Sequence, residues 1–419
     1  MPDELSSVVS LKSWLSDHGG VFHPKTRFRQ DVSGSGVIAT ENMLPDLTVV
    51  SCPFDLVITQ AVAKKAVSKI LGDFTDIHTN GWTERQWIST YISLHWIIDR
   101  QDSSIADNLR HDRYLDTLPS AENLRTPLHF SPAEREIFKG TNLYGATADR
   151  EREWRLEWNQ CSQLVTQSKA LLTELFTWEK YLTAATYLSS RAFPSSLLSA
   201  TPSLLHSPST QPILIPGVDA LNHARGQPVS WLVTYPDDKK NPALPCVASK
   251  RPKISLVIHT PAVQGQELFN NYGPKPNSEL ILGYGFSIPN NPDDTIVLKI
   301  GGIGGNKWEI GRNASGAEGL WKEVLQTFIQ SEEHPATYED FLDASGMLEE
   351  MVHTLLQRLP IGHISNMEEL RPEVITMFGH YLEGQRDILS SLLEFCRARE
   401  QDALRMAKDE GIDLVLEEE

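Results

Sequence analysis

Between residues 21 and 60 the apolar positions come in short β-branched runs, "GSGVIAT" and "LTVVSCPFDLVIT". Gly34, Gly36, Pro45 and Pro53 punctuate them, which predicts strands joined by turns. From about 61 to 190 the period lengthens. Trp87, Ile88, Tyr91, Ile92, His95 and Trp96 fall at helical spacing, and Leu164, Leu171, Leu172, Leu175 and Phe176 repeat the signal. Within this helical block the prolines of "RYLDTLPSAENLRTPLHFSPAEREIFKGTNL" predict turns and short pieces. Strands return beyond 190 in "SWLVTY" and "ISLVIHT", separated by polar, Pro-rich loops, so the β-region is split by the helices. A further section from about 292 ends in a long helix after Pro372, with Ile388, Leu389, Leu392, Leu393 and Cys396 on one face. No repeat of fixed period is evident, which argues against a solenoid.

A chain of 419 residues with 40% apolar content can bury two or three cores, which argues against global disorder. Its net charge of −17 repels phosphate backbones and suits a cationic partner, so nucleic acid is not expected, although an acidic surface also serves solubility alone. Cys52, Cys161, Cys246 and Cys396 are scattered, which predicts reduced, buried thiols and no disulfide framework or zinc cluster. The N-terminus is acidic, and no stretch approaches the ~20 apolar residues of a membrane span. A cytoplasmic or nuclear protein is the expectation, without a membrane.

Three constellations could carry chemistry. Gly34-Ser35-Gly36-Val37-Ile38-Ala39 fits a permissive dinucleotide fingerprint, with Asp55 about 20 residues on. That mechanism needs a helix starting at the glycines, and the sequence after them suits a strand, so the Rossmann reading is rejected. A glycine pair that allows close backbone approach remains, beside the plainer reading of a hairpin glycine. Asp219-Ala220-Leu221-Asn222-His223 follows a Pro-Gly turn; alone it reads first as an Asx turn with a satisfied core histidine, and it lacks the companions of a catalytic zinc site. Tyr272 and Tyr284 lie in the Gly- and Asn-rich "GQELFNNYGPKPNSELILGYGF", either as functional loop residues or as plugs of a core edge. His95 and the Trp82, Trp87, Trp96, Trp154 and Trp158 set read as helical core. "KIGGIGGNKW" lacks the ending of a phosphate loop and reads as a turn, and Asn313-Ala314-Ser315 as an unmodified acceptor.

Taken in order, these pieces resemble the SET-domain protein methyltransferases, in the branch of Rubisco large-subunit methyltransferase and ribosomal-protein lysine methyltransferases. The resemblance rests on G-x-G at 34–36, "SSRAF" at 189–193, D-x-x-N-H at 219–223, G-x-E-L at 265–268, N-Y-G at 271–273 and "ELILGYGF" ending at Phe286, with "YLDTLP" and "KGTNL" inside the helical block. It implies an α+β fold: a knot-like β-rich SET core split by a helical insertion and followed by an all-helical C-terminal lobe. The implied sections are 1–60 and 189–290 for the core, 61–188 for the insertion and 291–419 for a substrate-binding domain.

The resemblance further implies that the backbone at Gly34, Ser35 and Gly36 cradles S-adenosylmethionine. Arg191 pairs with its carboxylate, Asn222 and His223 hold its adenine and amino-acid ends, and Phe286 packs on adenine. Tyr272 is the implied catalytic tyrosine, next to the cofactor; Tyr284, Phe193, and the carbonyls near Ser190, Arg191 and Asp219 line and orient the substrate amine. Methyl transfer from a sulfonium is an in-line displacement, so alignment and exclusion of water contribute more than nucleophile strength. Phe193 suits the aliphatic stem of lysine, whereas an imidazole would call for a polar group there. The expectation is a monomeric protein-lysine N-methyltransferase acting on a lysine in a basic or flexible segment of a ribosomal or translation protein. A histidine methyltransferase and a non-catalytic peptide-binding module are the alternatives. Two departures from the family pattern, Gln266 for Glu and Ser33 for an acidic residue, bear on affinity more than on activity.

Overall fold

The computed structural model describes residues 4–31, 34–72, 81–99, 108–205, 207–236, 251–301, 305–329, 335–361 and 367–413. Ser33 and Cys246 lie outside the described residues; Cys52, Cys161 and Cys396 are free thiols, all buried. The chain folds as two compact units, one of Met1–Leu124 with Arg150–Pro274, the other of Arg125–Asp149 with Lys275–Glu419.

In the first unit, strands β1 (Val21–Phe22), β2 (Thr26–Asp31), β3 (Gly34–Ala39) and β4 (Leu47–Pro53) follow helix α1 (Ser6–Asp17). The chain returns to strand as β5 (Phe193–Pro194), β6 (Pro212–Ile213), β7 (Val229–Thr234), β8 (Lys253–Ile258) and β9 (Glu267–Leu268). One antiparallel sheet has the order β1-β4-β8-β7, another β2-β3-β9, and β5 pairs with β6. Late strands thus close sheets begun before the helical block. β3 is the pivot, paired on one edge from Asp31↔Gly34 to Thr26↔Ala39 and on the other through Val37↔Leu268 and Ile38↔Glu267.

Between the two sets of strands lie α2 (Gln60–Leu71), α3 (Glu84–Ile97), α4 (Asn142–Ser168) and α5 (Trp178–Arg191). Their starts follow from side-chain caps. Thr59 accepts from the Val62 amide, Thr83 and Gln86 close a reciprocal capping box, and Thr177 accepts from the Lys180 amide. Buried Glu157 on α4 receives the Arg85 guanidinium at 2.7 and 2.9 Å, Thr83 Oγ1 at 3.2 Å and the Tyr181 hydroxyl at 3.2 Å, joining three helices at one carboxylate. Trp82, Trp87, Trp154 and His95 are buried as expected for core, with Trp96 and Trp158 half-buried. The helical signal at Leu164–Phe176 is broken. Lys169 leaves helical space (φ −144°), a short 3₁₀ turn follows, and Leu171 points outward, 92% exposed, while Leu172 and Phe176 stay buried.

The second unit contains β10 (Thr295–Lys299), β11 (Lys307–Gly311), α6 (Ala317–Gln326), α7 (Tyr338–Arg358) and α8 (Pro372–Asp409). The expectation of an all-helical C-terminal lobe is therefore corrected: β10 and β11 form a five-pair antiparallel hairpin. The segment alternates, with Ile296 and Leu298 inside and Val297 and Lys299 outside, a period of two that is short and easily lost among helices. Ile296, Leu298 and Ile310 share a core with Leu320, Leu348 and Phe378. The predicted stripe on α8 is buried at Ile388, Leu389, Leu392 and Cys396.

Two arginines satisfy buried carboxylates in this unit. Arg312 reaches Asp294 at 3.3 Å, Glu383 at 2.6 Å and Asp387 at 3.0 Å. Arg371 binds the buried Glu134 through Nε at 2.8 Å and Nη2 at 2.8 Å, while Glu134 also accepts from the Ser131 amide at 2.9 Å. Arg371→Ala should lower unfolding free energy by about 2 kcal/mol at neutral pH, since a buried charge loses its cation while the arginine is itself partly exposed. Burial pushes the Glu134 pKa up, and bonds from Arg371 and Ser131 outweigh it, leaving the group below its ordinary 4.5. Such a group stabilises above its unfolded pKa and loses that contribution as pH falls. In urea unfolding the gap between variant and wild type should therefore narrow below pH 4.5; a gap unchanged at about pH 3 contradicts the assignment.

Candidate active site

The two glycines of β3 are required for different physical reasons. Gly34 sits at φ +127° with open space where a Cβ would be, so its backbone conformation is the constraint. At Gly36 a Cβ would lie 2.5 Å from Glu267 Oε1 and 3.3 Å from Asn222 Nδ2, so close approach is the constraint. Those two side chains bond one another: Asn222 Nδ2 donates to Glu267 Oε1 at 2.8 Å and to the Ser35 carbonyl at 3.3 Å. β3 is a strand at this point and no helix begins there, which bears out the rejection of a dinucleotide fingerprint. The departure at Gln266 also finds its place. Its amide oxygen accepts from the Val263 amide at 3.0 Å in the preceding turn, while the carboxylate touching Asn222 belongs to Glu267.

Beside this, two distant chain segments cross. The Asn270 amide donates to the Asn222 carbonyl at 2.7 Å, and the Ala224 amide to the Asn270 carbonyl at 2.9 Å, forming a parallel bridge between His223 and Asn270. Asn270 is fully buried, and among the described residues its Nδ2 meets no acceptor. The crossing brings the Tyr272 amide to His223 Nδ1 at 3.0 Å and stacks the two rings at 5.1 Å and 21°. A backbone amide can only donate, so Nδ1 is the acceptor and the neutral ring carries its proton on Nε2. The Tyr272 hydroxyl donates to the Leu221 carbonyl at 2.9 Å.

Arg191 ends α5. Its Nη1 donates to the Asp219 carbonyl at 3.2 Å and to Asp219 Oδ2 at 3.3 Å. Burial pushes the Asp219 pKa up; Arg191 and Tyr114 pull it back, and the balance stays above the ordinary value. The Tyr114 hydroxyl donates to the same Oδ2 at 2.6 Å. Sequence reasoning missed Tyr114 and Glu267 as site residues: "YLDTLP" entered only as a mark of resemblance, and the paired contacts are long-range. Ser190 turns its hydroxyl back to the Thr186 carbonyl at 2.7 Å, and Phe193 is buried where β5 pairs with Ile213. Ser35, Gly36, Asn222, His223 and Tyr272 thus meet Arg191 and Asp219 through one stretch of backbone, 219–224, while Gly34 and Ser190 are only chain neighbours of these residues.

Tyr284 and Phe286 belong to the second unit, half-buried with ring centroids 6.2 Å apart. The Lys275 ammonium stands 5.6 Å from the Tyr284 ring centroid and pairs with Glu279. A separate chain of Ser230, His259 and Asp46 links Oγ to Nε2 at 2.9 Å and Nδ1 to Oδ1 at 2.6 Å. It lies open to water, with the Asp46 side chain 74% exposed, and ties the ends of β7 and β8.

Small antiparallel sheets divided by helices, with two segments crossing beside a stacked His–Tyr pair, define the class: a SET-domain protein. The SET domain of LSMT bound to methyllysine and AdoHcy superposes with a TM-score of 0.71 at 17% identity, over 98% of this chain and 97% of that one. A ribosomal lysine N-methyltransferase, set10, of Schizosaccharomyces pombe is 32% identical over 292 residues, 70% of this chain and 47% of that protein. Ribosomal lysine N-methyltransferase 1 of Saccharomyces cerevisiae is 26% identical over 331 residues, 70% of this chain and 51% of that protein. No protein-family model matches the sequence. The chain has the SET-domain fold, and its sequence is similar to ribosomal lysine N-methyltransferases. It spans about half the length of these two curated relatives.

The two glycines should respond differently to a double-mutant cycle. Gly36→Ala is expected to cost about 1 kcal/mol of stability by displacing the Glu267 carboxylate from Asn222, and Gly34→Ala about 1–3 kcal/mol through backbone strain. In a Glu267→Ala background the Gly36 cost should largely vanish while the Gly34 cost persists. Equal costs in both backgrounds, measured by chemical denaturation, would remove the Gly36–Glu267 contact from the account.

Proposed function

We propose that the chain is an S-adenosylmethionine-dependent protein-lysine N-methyltransferase acting on a non-histone protein, with a ribosomal or translation protein as its substrate. One observation carries this reading: Arg191, Asn222, His223 and Tyr272 converge on the backbone of 219–224 within a SET fold. The names of the S. pombe and S. cerevisiae relatives support lysine and the ribosome as the direction of search.

The donor set fits the cofactor. Gly34 and Gly36 let the backbone of β3 come close to a ligand, Arg191 offers a planar fork for a carboxylate, and Asn222 and His223 are proposed to hold the adenine and amino-acid ends. Phe286 is the proposed adenine-stacking ring. When bound, the sulfonium supplies an electrophilic methyl whose C–S bond breaks as the new N–C bond forms. The protein's share is alignment. Tyr272, its hydroxyl committed to the Leu221 carbonyl, keeps its ring fixed beside the transfer line. Carbonyls at Ser190, Arg191 and Asp219 accept from the incoming amine, and Phe193 walls its aliphatic stem. The amine must be neutral to attack, so its proton leaves to solvent beforehand, which an apolar channel favours.

The proposed division of labour assigns 1–60 and 189–290 to the SET core, knot-like in its threading, 61–188 to the insertion and 291–419 to substrate binding. Almost all of the chain's net charge of −17 falls in the second unit, which suits a basic segment of a partner protein. The chain is proposed to act as a monomer in the cytoplasm or nucleus. Among the described residues no helix is long and apolar enough to cross a membrane.

Labelled methyl groups should appear on lysine when the full chain is incubated with S-adenosylmethionine and a lysate of cells lacking the enzyme. Tyr272→Phe should cut kcat on the order of 10²-fold, and the rate should climb from about pH 7 to 9 as more of the amine loses its proton. Label on histidine, or undiminished transfer by Tyr272→Phe, counts against this reading.

A further inference from the structure

Tyr114 stands on a four-residue helical turn, Asp112–Leu115, within the helical insertion, yet its side chain is 1% exposed. Its hydroxyl meets Asp219 Oδ2 at 2.6 Å, across 105 positions of sequence. The same oxygen accepts from Arg191 Nη1 at 3.3 Å, and the Asp219 carbonyl accepts from that Nη1 at 3.2 Å. One carboxylate oxygen therefore takes two donors, one neutral and one cationic, from the insertion and from the end of α5. Asp219 is itself 6% exposed, so water cannot replace either donor cheaply.

An arginine side chain has four rotatable bonds and much freedom to lose; two acceptors on Nη1 hold that end of its fork in place. Among the described residues Nε and Nη2 of Arg191 take no acceptor, so the side of the guanidinium turned away from Asp219 is available for a second carboxylate. Burial raises the Tyr114 pKa well above the ordinary phenol value, so the group stays a neutral donor at any working pH. Burial also raises that of Asp219, and each donor removed would favour its protonation and weaken its hold on Arg191.

We propose that Tyr114 is a positioning residue for cofactor binding: by donating to Asp219 it fixes the carboxylate that aims the Arg191 fork at the amino-acid end of S-adenosylmethionine. The helical insertion would then set cofactor affinity, and not only the shape around the substrate. This rests on the reading of Arg191 as the partner of the methionine carboxylate.

Tyr114→Phe keeps the buried ring and deletes only the donor. Calorimetry on the full chain would use two probes: S-adenosylhomocysteine, which has the carboxylate, and 5′-methylthioadenosine, which lacks the amino-acid part. S-adenosylhomocysteine should bind about tenfold more weakly to the variant, the size of one hydrogen bond to a charged group. 5′-Methylthioadenosine should stay within about twofold of wild type. In methyl transfer the KM for S-adenosylmethionine should rise about tenfold while kcat at saturation changes by less than about twofold. Added to Arg191→Ala, Tyr114→Phe should cause no further loss, because its effect runs through that arginine. Asp219→Asn reads the same link from the carboxylate and should show the same selectivity, which keeps the test open if Tyr114→Phe folds poorly. Unchanged S-adenosylhomocysteine affinity, parallel losses for both probes, or additive losses with Arg191→Ala would each overturn the role of Tyr114 while leaving the methyltransferase reading intact. A wild-type chain that binds neither probe removes that reading, and this role with it.

Discussion

A carboxylate cut off from water keeps its charge only where donors replace the water, and in this protein that requirement falls on Asp219. Arg191 and Tyr114 supply those donors, so the end of α5 and a turn of the insertion are both tied to the segment that starts at Asp219. The next residues along that segment carry the rest of the site. Leu221 receives the Tyr272 hydroxyl, Asn222 reaches Glu267 beside Gly36, and His223 receives the Tyr272 amide. A single buried charge thus fixes one end of the backbone on which these contacts are hung.

The other end is fixed by the crossing at Asn270, where main-chain bonds in both directions lock 222–224 against the chain that leads to Tyr272. Main-chain bonds depend on no particular side chain. That is why the architecture persists at 17% identity to LSMT with a TM-score of 0.71. What must be retained is the capacity for close approach, as at Gly36, where a Cβ would sit 2.5 Å from the Glu267 carboxylate.

The second unit uses the same electrostatic device. Arg312 and Arg371 hold Asp294 and Glu134, the first pair 18 residues apart across a hairpin and the second 237 residues apart. Glu134 lies in the stretch 125–149 that joins this unit although it interrupts residues of the other. Placing a charged pair there commits two sequence segments to one another, since either charge alone would be costly to bury.

Much of the fold was legible in the sequence because periodicity is a local property. β3, β4, β7 and β8 were readable from β-branched runs, α3 from its apolar spacing, and the stripe of α8 from Ile388 to Cys396. The small hairpin of β10 and β11 and the outward turn at Leu171 were not, since a five-residue alternation and one non-helical residue at Lys169 carry too little signal over a short window. At the site, the glycines, Arg191, the Asp219–His223 run and Tyr272 could be named by their order along the chain, an order that the sequence by itself determined. That Tyr114 would share an oxygen with Arg191, and that Glu267 would fill the space over Gly36, was decided only by tertiary structure. Such contacts are made across long separations by side chains whose partners leave no mark in their own neighbourhood.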